Sequence, residues 1–157
     1  MGYTTEFNGR FEINKPVDDK TAAILEGLAT TRRMKRNVDE SIYGIEGEFY
    51  FEDDDAYTFP RPKNTNIIDY NKPPVTQPWL WCQWELTHDK QGLQWDGNEK
   101  FYMYVEWLQY IIERVLAPKG YRLDGTVEWF GEDPDDRGII IVQNNIVSTK
   151  IGRIVYE

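Results

Sequence analysis

The chain has 157 residues and a formal net charge of −9, with 40% hydrophobic and 15% aromatic residues. That aromatic content excludes wholesale disorder, and the acidic balance argues against direct binding to nucleic acid or an anionic membrane, which requires net positive surface. The single cysteine, Cys82, excludes an internal disulfide and fits a reducing cytoplasm.

The opening run MGYTTEFNGRFEINK lacks the apolar stretch of a signal peptide. Within it, residues 3–14 alternate: Phe7, Gly9, Phe11 and Ile13 face one way and Glu6, Asn8, Arg10 and Glu12 the other, the pattern of a half-buried strand. After Pro16, Asp18 is the expected N-cap of a helix over 19–33 whose apolar stripe is Ile24, Leu25 and Leu28. Residues 43–52, YGIEGEFYFE, alternate again and predict a strand. Residues 53–78 hold five prolines and predict a long polar connection anchored once, at Ile67, Ile68 and Tyr70. WLWCQWELT, 79–87, predicts a strand with Trp79, Trp81 and Gln83 on one face and Leu80, Cys82, Trp84 and Leu86 on the other. A turn at 88–92 leads to a short strand at 93–95.

Asp96 and Glu99 have the spacing of an acidic capping box, and Phe101, Tyr104, Val105, Leu108, Ile111, Ile112 and Val115 keep a helical rhythm until Pro118 and Gly120 stop it. Strands are expected at 121–130, 138–143 and 146–155. The order β-α-β-β-β-α-β-β-β predicts one α+β domain over 1–157, a two-layer sandwich of a mostly antiparallel sheet with two helices on one face. No apolar run approaches the ~20 residues of a membrane-spanning helix.

The chemical inventory is narrow. One histidine, His88, and one cysteine leave little for Ser-His or Cys-His catalysis or for a Cys/His zinc site, and no phosphate-binding glycine motif is present. No cofactor is expected. Two features stand out. TTRRMKRN, 30–37, concentrates four cations. Were the helix to continue, Arg32 and Arg36 would share a face. Arginine forks suit carboxylate or phosphate. With Arg33 and an aromatic plate such as Trp81, they suggest a pocket for a nucleotide-like anion or an acidic peptide. The alternative is an internal network with the acidic runs at 52–55 and 132–136. The loop GEDPDDRG, 131–138, crowds Glu132, Asp133 and Asp135, which could ligate a divalent metal, pair with the arginines or simply be solvated.

Five stretches, GYTTEFNGRFEI (2–13), TRRMKRN (31–37), IIDYNKPPVTQPWLWCQWE (67–85), LQWDGNEKFY (93–102) and GEDPDDRG (131–138), together resemble a family of small uncharacterised proteins from actinobacteria and bacteriophages. The resemblance implies that the segment around Asp69, Tyr70 and Asn71 is more than linker, and that TRRMKRN and GEDPDD form a paired feature. It implies no catalytic residues.

The expectation is therefore a cytoplasmic, non-catalytic binding module. Its site would combine Arg32, Arg33, Arg36, Asp69, Tyr70, Asn71 and Trp81, and its partner would be an anionic small molecule or a protein. Two alternatives stand beside it: a carboxylate- or metal-dependent enzyme, and an acidic inhibitor that imitates DNA. Homo-oligomerisation is left open.

Overall fold

A computed structural model of the chain describes residues 2–51 and 66–157. Its centre is an antiparallel sheet. β1 (Thr5–Asn8) and β2 (Arg10–Ile13) are two halves of one strand. Both lie against β7 (Leu123–Gly131) in a single unbroken offset, Thr5 opposite Gly131 and Phe11 opposite Gly125. Gly9 separates the halves at φ 117°, where a Cβ would stand 2.8 Å from the Thr126 carbonyl oxygen, so only glycine fits. β2 also pairs with β6 (Gly92–Trp95), β6 with β5 (Trp84–Leu86), β7 with β8 (Arg137–Gln143), and β8 with β9 (Ile146–Ile151). The spatial order is β5-β6-β2-β7-β8-β9.

The alternation in the sequence is the alternation in space. Phe7, Phe11, Ile13, Leu93, Leu123, Val127, Ile140 and Val142 enter one core, while Glu6, Glu12, Thr126 and Glu128 stay in water. α1 (Asp19–Thr30) contributes Ala22, Leu25 and Leu28 to that core, and α3 (Tyr104–Ile111) contributes Trp107, Leu108 and Ile111. α3 runs on through a π turn, Ile112–Leu116, and a 3-10 turn, Ala117–Lys119. Each large apolar side chain buried this way contributes roughly 1.5–3 kcal/mol. At one end of the core, Phe7 meets Trp84, Phe101 and Tyr104 edge to face at 4.9–5.7 Å between ring centres. The predicted α+β class, one antiparallel sheet with its two long helices on one face, is what the structure contains.

Several boundaries differ from expectation. α1 stops at Thr30, not at residue 33. Thr31 leaves in an extended conformation, and both its N–H and its hydroxyl bond back to the Gly27 carbonyl, closing the last turn. The basic run that follows is extended, so Arg32 and Arg36 do not share a helical face. Lys35–Arg36 is β3, paired with β4 at Ile67–Asp69, where only an anchored turn was expected.

No strand forms at 43–51, the described part of the predicted 43–52. That stretch holds the end of α2 (Glu40–Tyr43) and a 3-10 turn, Ile45–Gly47. Gly44, Glu46 and Gly47, three of four successive residues, all have positive φ between 54° and 81°, which breaks an extended strand. The strand predicted at 79–87 pairs only over Trp84–Leu86. α3 starts at Tyr104, because Met103 is left-handed at φ 58°; Asp96 caps the turn at Asn98 instead. The acidic run 52–55, with Pro60 and Pro62, lies outside the described residues.

Candidate functional site: an aromatic cleft with an acidic rim

The three arginines of the basic run reach three different fates, while Lys35 pairs with Glu46 at 3.3 Å. Arg33 is 1% exposed and donates all five of its N–H bonds: to Gln77 Oε1, to Thr31 Oγ1, and to the carbonyls of Tyr50, Gly47 and Glu48. Burial pulls its guanidinium down to about 10. With its five donors committed to protein oxygens, Arg33 fastens the 44–51 turn beneath the end of α1, and it does not face a ligand. Arg36, 5% exposed, lies 4.4 Å over the Tyr50 ring and donates to Asn66 Oδ1 at 2.7 Å. Arg32 is half-buried, stacks 4.2 Å over Tyr70 and donates to the Tyr70 carbonyl and toward Asn71 Oδ1. Asp69 is engaged next door, accepting from the Asn71 N–H at 2.9 Å. The expected seven-residue site is therefore divided: Arg32, Asp69, Tyr70 and Asn71 gather at the surface, Arg33 and Arg36 are buried, and Trp81 lines a separate cleft.

The expected pairing of TRRMKRN with GEDPDD is replaced by another arrangement. Glu132 Oε1 accepts the Thr4 N–H at 2.8 Å. Asp136 takes the Tyr3 hydroxyl and the Trp129 indole N–H, and Asp133 caps the Asp135 N–H while its own N–H donates to the Tyr3 oxygen. The Glu132 and Asp136 carboxylates thereby clasp Tyr3 and Thr4, just before β1. The metal expectation for Glu132, Asp133 and Asp135 is corrected accordingly: among the described residues no group of three His, Cys, Asp or Glu side chains is arranged to hold a metal ion.

The feature that best qualifies as a site is the cleft that Trp81 lines. Its volume is about 620 Å³. One wall is the approach to β5, with Trp79 and Trp81; the other is the β6–α3 connection, with Asp96, Asn98, Glu99, Lys100 and Tyr102; the end of α1 closes it at Ala29 and Thr30. The Trp side chains are 42% and 37% exposed, unusual for so large an apolar group. Period-two alternation puts them there. Cys82 and Trp84 point into the core, so Trp79 and Trp81 point out.

The segment is held at both ends. The Arg33 N–H donates to the Leu80 carbonyl at 2.8 Å, and the Gln83 amide donates to the Glu99 carbonyl at 2.9 Å while its oxygen accepts from the Trp95 indole at 3.3 Å. Asp96 and Glu99 set the rim negative against a single cation, Lys100. A second recess of about 290 Å³ shares Ala29, Thr30, Asp96 and Asn98 with the first and adds Glu26 and Glu85. Beneath the cleft, burial pushes the Cys82 thiol up to about 12, so it is no nucleophile. His88 sits exposed at the turn before β6, away from these residues in the lining.

Sequence reasoning named Trp81 but missed Trp79, Asp96, Glu99 and Tyr102 as partners. The outward face of WLWCQW was the signal available. Comparison of the chain with protein-family models, with curated proteins and with solved structures finds no match. No helix among the described residues is long and apolar enough to cross a membrane.

Proposed function

We propose that the chain is a non-catalytic binding module whose aromatic cleft captures a lysine or arginine side chain from a basic segment of a protein partner. The observation that carries this reading is the pairing of two outward-facing tryptophans with Asp96 and Glu99 around one open cleft. A flat aromatic face attracts a cation through its quadrupole, worth about 0.5–2 kcal/mol, and the carboxylates complete the charge pairing. A phosphate would be repelled by the same rim. The net charge of −9 steers a basic partner toward the protein from a distance. The proposal includes a cytoplasmic setting, in keeping with one buried, reduced cysteine, and an actinobacterial or bacteriophage origin, in keeping with the resemblance above.

The test is a fluorescence titration with short Lys/Arg-rich and Glu-rich peptides. The basic peptide alone is expected to change the Trp signal, with affinity falling several-fold between about 0.05 and 0.5 M salt. The double variant Asp96→Asn, Glu99→Gln is expected to weaken binding about tenfold or more. Equal binding by the folded double variant, or no response to any cationic peptide, overturns the reading.

A second reading keeps the anion expectation in reduced form. Arg32, half-exposed and stacked on Tyr70 beside Asn71, is the arginine of the basic run that stays partly at the surface. Loss of nucleotide or acidic-peptide binding on Arg32→Ala, in a protein that remains folded, would favour it.

A further inference from the structure

We infer that the outer edge of β9 pairs antiparallel with β9 of a second copy of this chain, across a two-fold axis at Thr149. β9 ends the sheet order, so among the described residues it has a neighbour on one side only. The direction of its free groups follows from register. The Gly152 N–H donates to the Arg137 carbonyl, which continues the β8 ladder, so the even-numbered residues of β9 turn their N–H and C=O groups inward. Val147, Thr149 and Ile151 then turn theirs outward. The usual protections of an edge are missing: β9 has no proline, its register against β8 is unbroken, and its one charge is Lys150. Ile146 and Ile151 are 71% and 78% exposed.

A second copy is the occupant because the strand is complementary to itself. Symmetry requires one residue to face its own copy. With Thr149 at that point, Val147 lies opposite the partner's Ile151 and Ile151 opposite the partner's Val147, both on the helix-bearing face of the sheet. Thr149 meets the partner's Thr149, and Ser148 meets the partner's Lys150. Apolar pairs and a Thr–Thr pair are favourable cross-strand combinations. Centring one residue earlier sets Ile146 against the partner's Lys150, and one residue later sets Lys150 against the partner's Lys150. The strand therefore carries one favoured register, and no like charges meet in it although each chain bears −9. The result is a closed dimer with one continuous sheet, its interface isologous.

The experiment is native mass spectrometry and light scattering over about 1–200 µM, since dimer population follows concentration. A species of twice 18.6 kDa is expected at the upper end. Thr149→Lys, which opposes two cations at the axis without touching the β8 ladder, is expected to return it to monomer with unchanged circular dichroism. Thr149→Cys is expected to form a disulfide-linked dimer on oxidation, because a hydrogen-bonded antiparallel pair sets the two Cα atoms about 5.5 Å apart. Ser148→Cys, on the other face and out of register, is expected to stay unlinked. A protein monomeric at every concentration overturns the inference and leaves the edge to a strand of another protein. So does a dimer that survives Thr149→Lys, or one in which Ser148→Cys links and Thr149→Cys does not.

Discussion

Arg114 bonds both carboxylate oxygens of Glu48, whose side chain is fully buried while that of Arg114 keeps 41% of its surface in water. Glu48 also accepts from the Tyr110 hydroxyl, the Thr76 hydroxyl and the Ile45 N–H. Burial pushes the carboxyl up, but the bonds from Arg114, the Ile45 N–H and Tyr110 outweigh it and hold it below its ordinary value of 4.5. A carboxylate with a depressed folded-state pKa stabilises the fold above its ordinary pKa, and that stability is lost as pH falls through the folded value. The melting temperature is therefore expected to fall on acidification from pH 4.5 downward, and Glu48→Gln is expected to flatten that limb in a circular dichroism series. Arg114→Ala is expected to cost about 3 kcal/mol, the lower end for a broken buried pair because Arg114 is half exposed.

Trp79 and Trp81 should dominate the contact of the six tryptophans with solvent. Trp84 and Trp107 are 1% and 0% exposed, and Trp129 is 7% exposed. Acrylamide quenching of the native protein is expected to drop sharply in the double variant Trp79→Phe, Trp81→Phe. Quenching that persists unchanged would mean the outward alternation of this segment is wrong.

Gly27 is the docking point for Phe51. An added Cβ there would stand 2.4 Å from Phe51 Cγ. In an exposed helix Gly→Ala gains about 0.8–1 kcal/mol. Here overpacking is expected to reverse the sign, costing about 1–3 kcal/mol in chemical denaturation, and Phe51→Ala in the same background is expected to recover part of it.

The β8–β9 turn gives an inverted expectation. Asn144 and Asn145 both have positive φ, 49° and 68°, as a tight two-residue hairpin demands. Glycine suits such a position, yet Asn145 also accepts the Leu123 N–H and donates to the Tyr121 carbonyl. Asn145→Gly is expected to destabilise by about 1–2 kcal/mol through those two lost bonds, while Asn144→Gly is expected to be neutral or slightly stabilising.

Periodicity carried the sheet and both long helices because each of those segments packs on one core with one repeat. It misled at 43–51 for a specific reason: Glu48 sits where a strand would alternate, but it is buried by Arg114 and Tyr110, more than 60 residues away in sequence. β3 and β4, of two and three residues, are too short to alternate legibly. Arg33 looked like a ligand-binding residue because its acceptors, chiefly the carbonyls of Gly47, Glu48 and Tyr50 and the amide of Gln77, carry no charge to advertise them. The cleft was half legible: alternation turned Trp79 and Trp81 outward, but only the tertiary fold brings Asp96 and Glu99 across from them.

The two sides of that cleft belong to different parts of the molecule. The tryptophan side hangs on the long excursion between α1 and β5, fastened by Arg33 through the Leu80 carbonyl and the 44–51 turn; the acidic side is rooted in the central sheet. Whatever bridges the two sides acts as a removable staple between excursion and sheet. Its binding energy adds to the resistance of the excursion to local opening, and each opening of the excursion subtracts from its affinity, in equal and reciprocal measure.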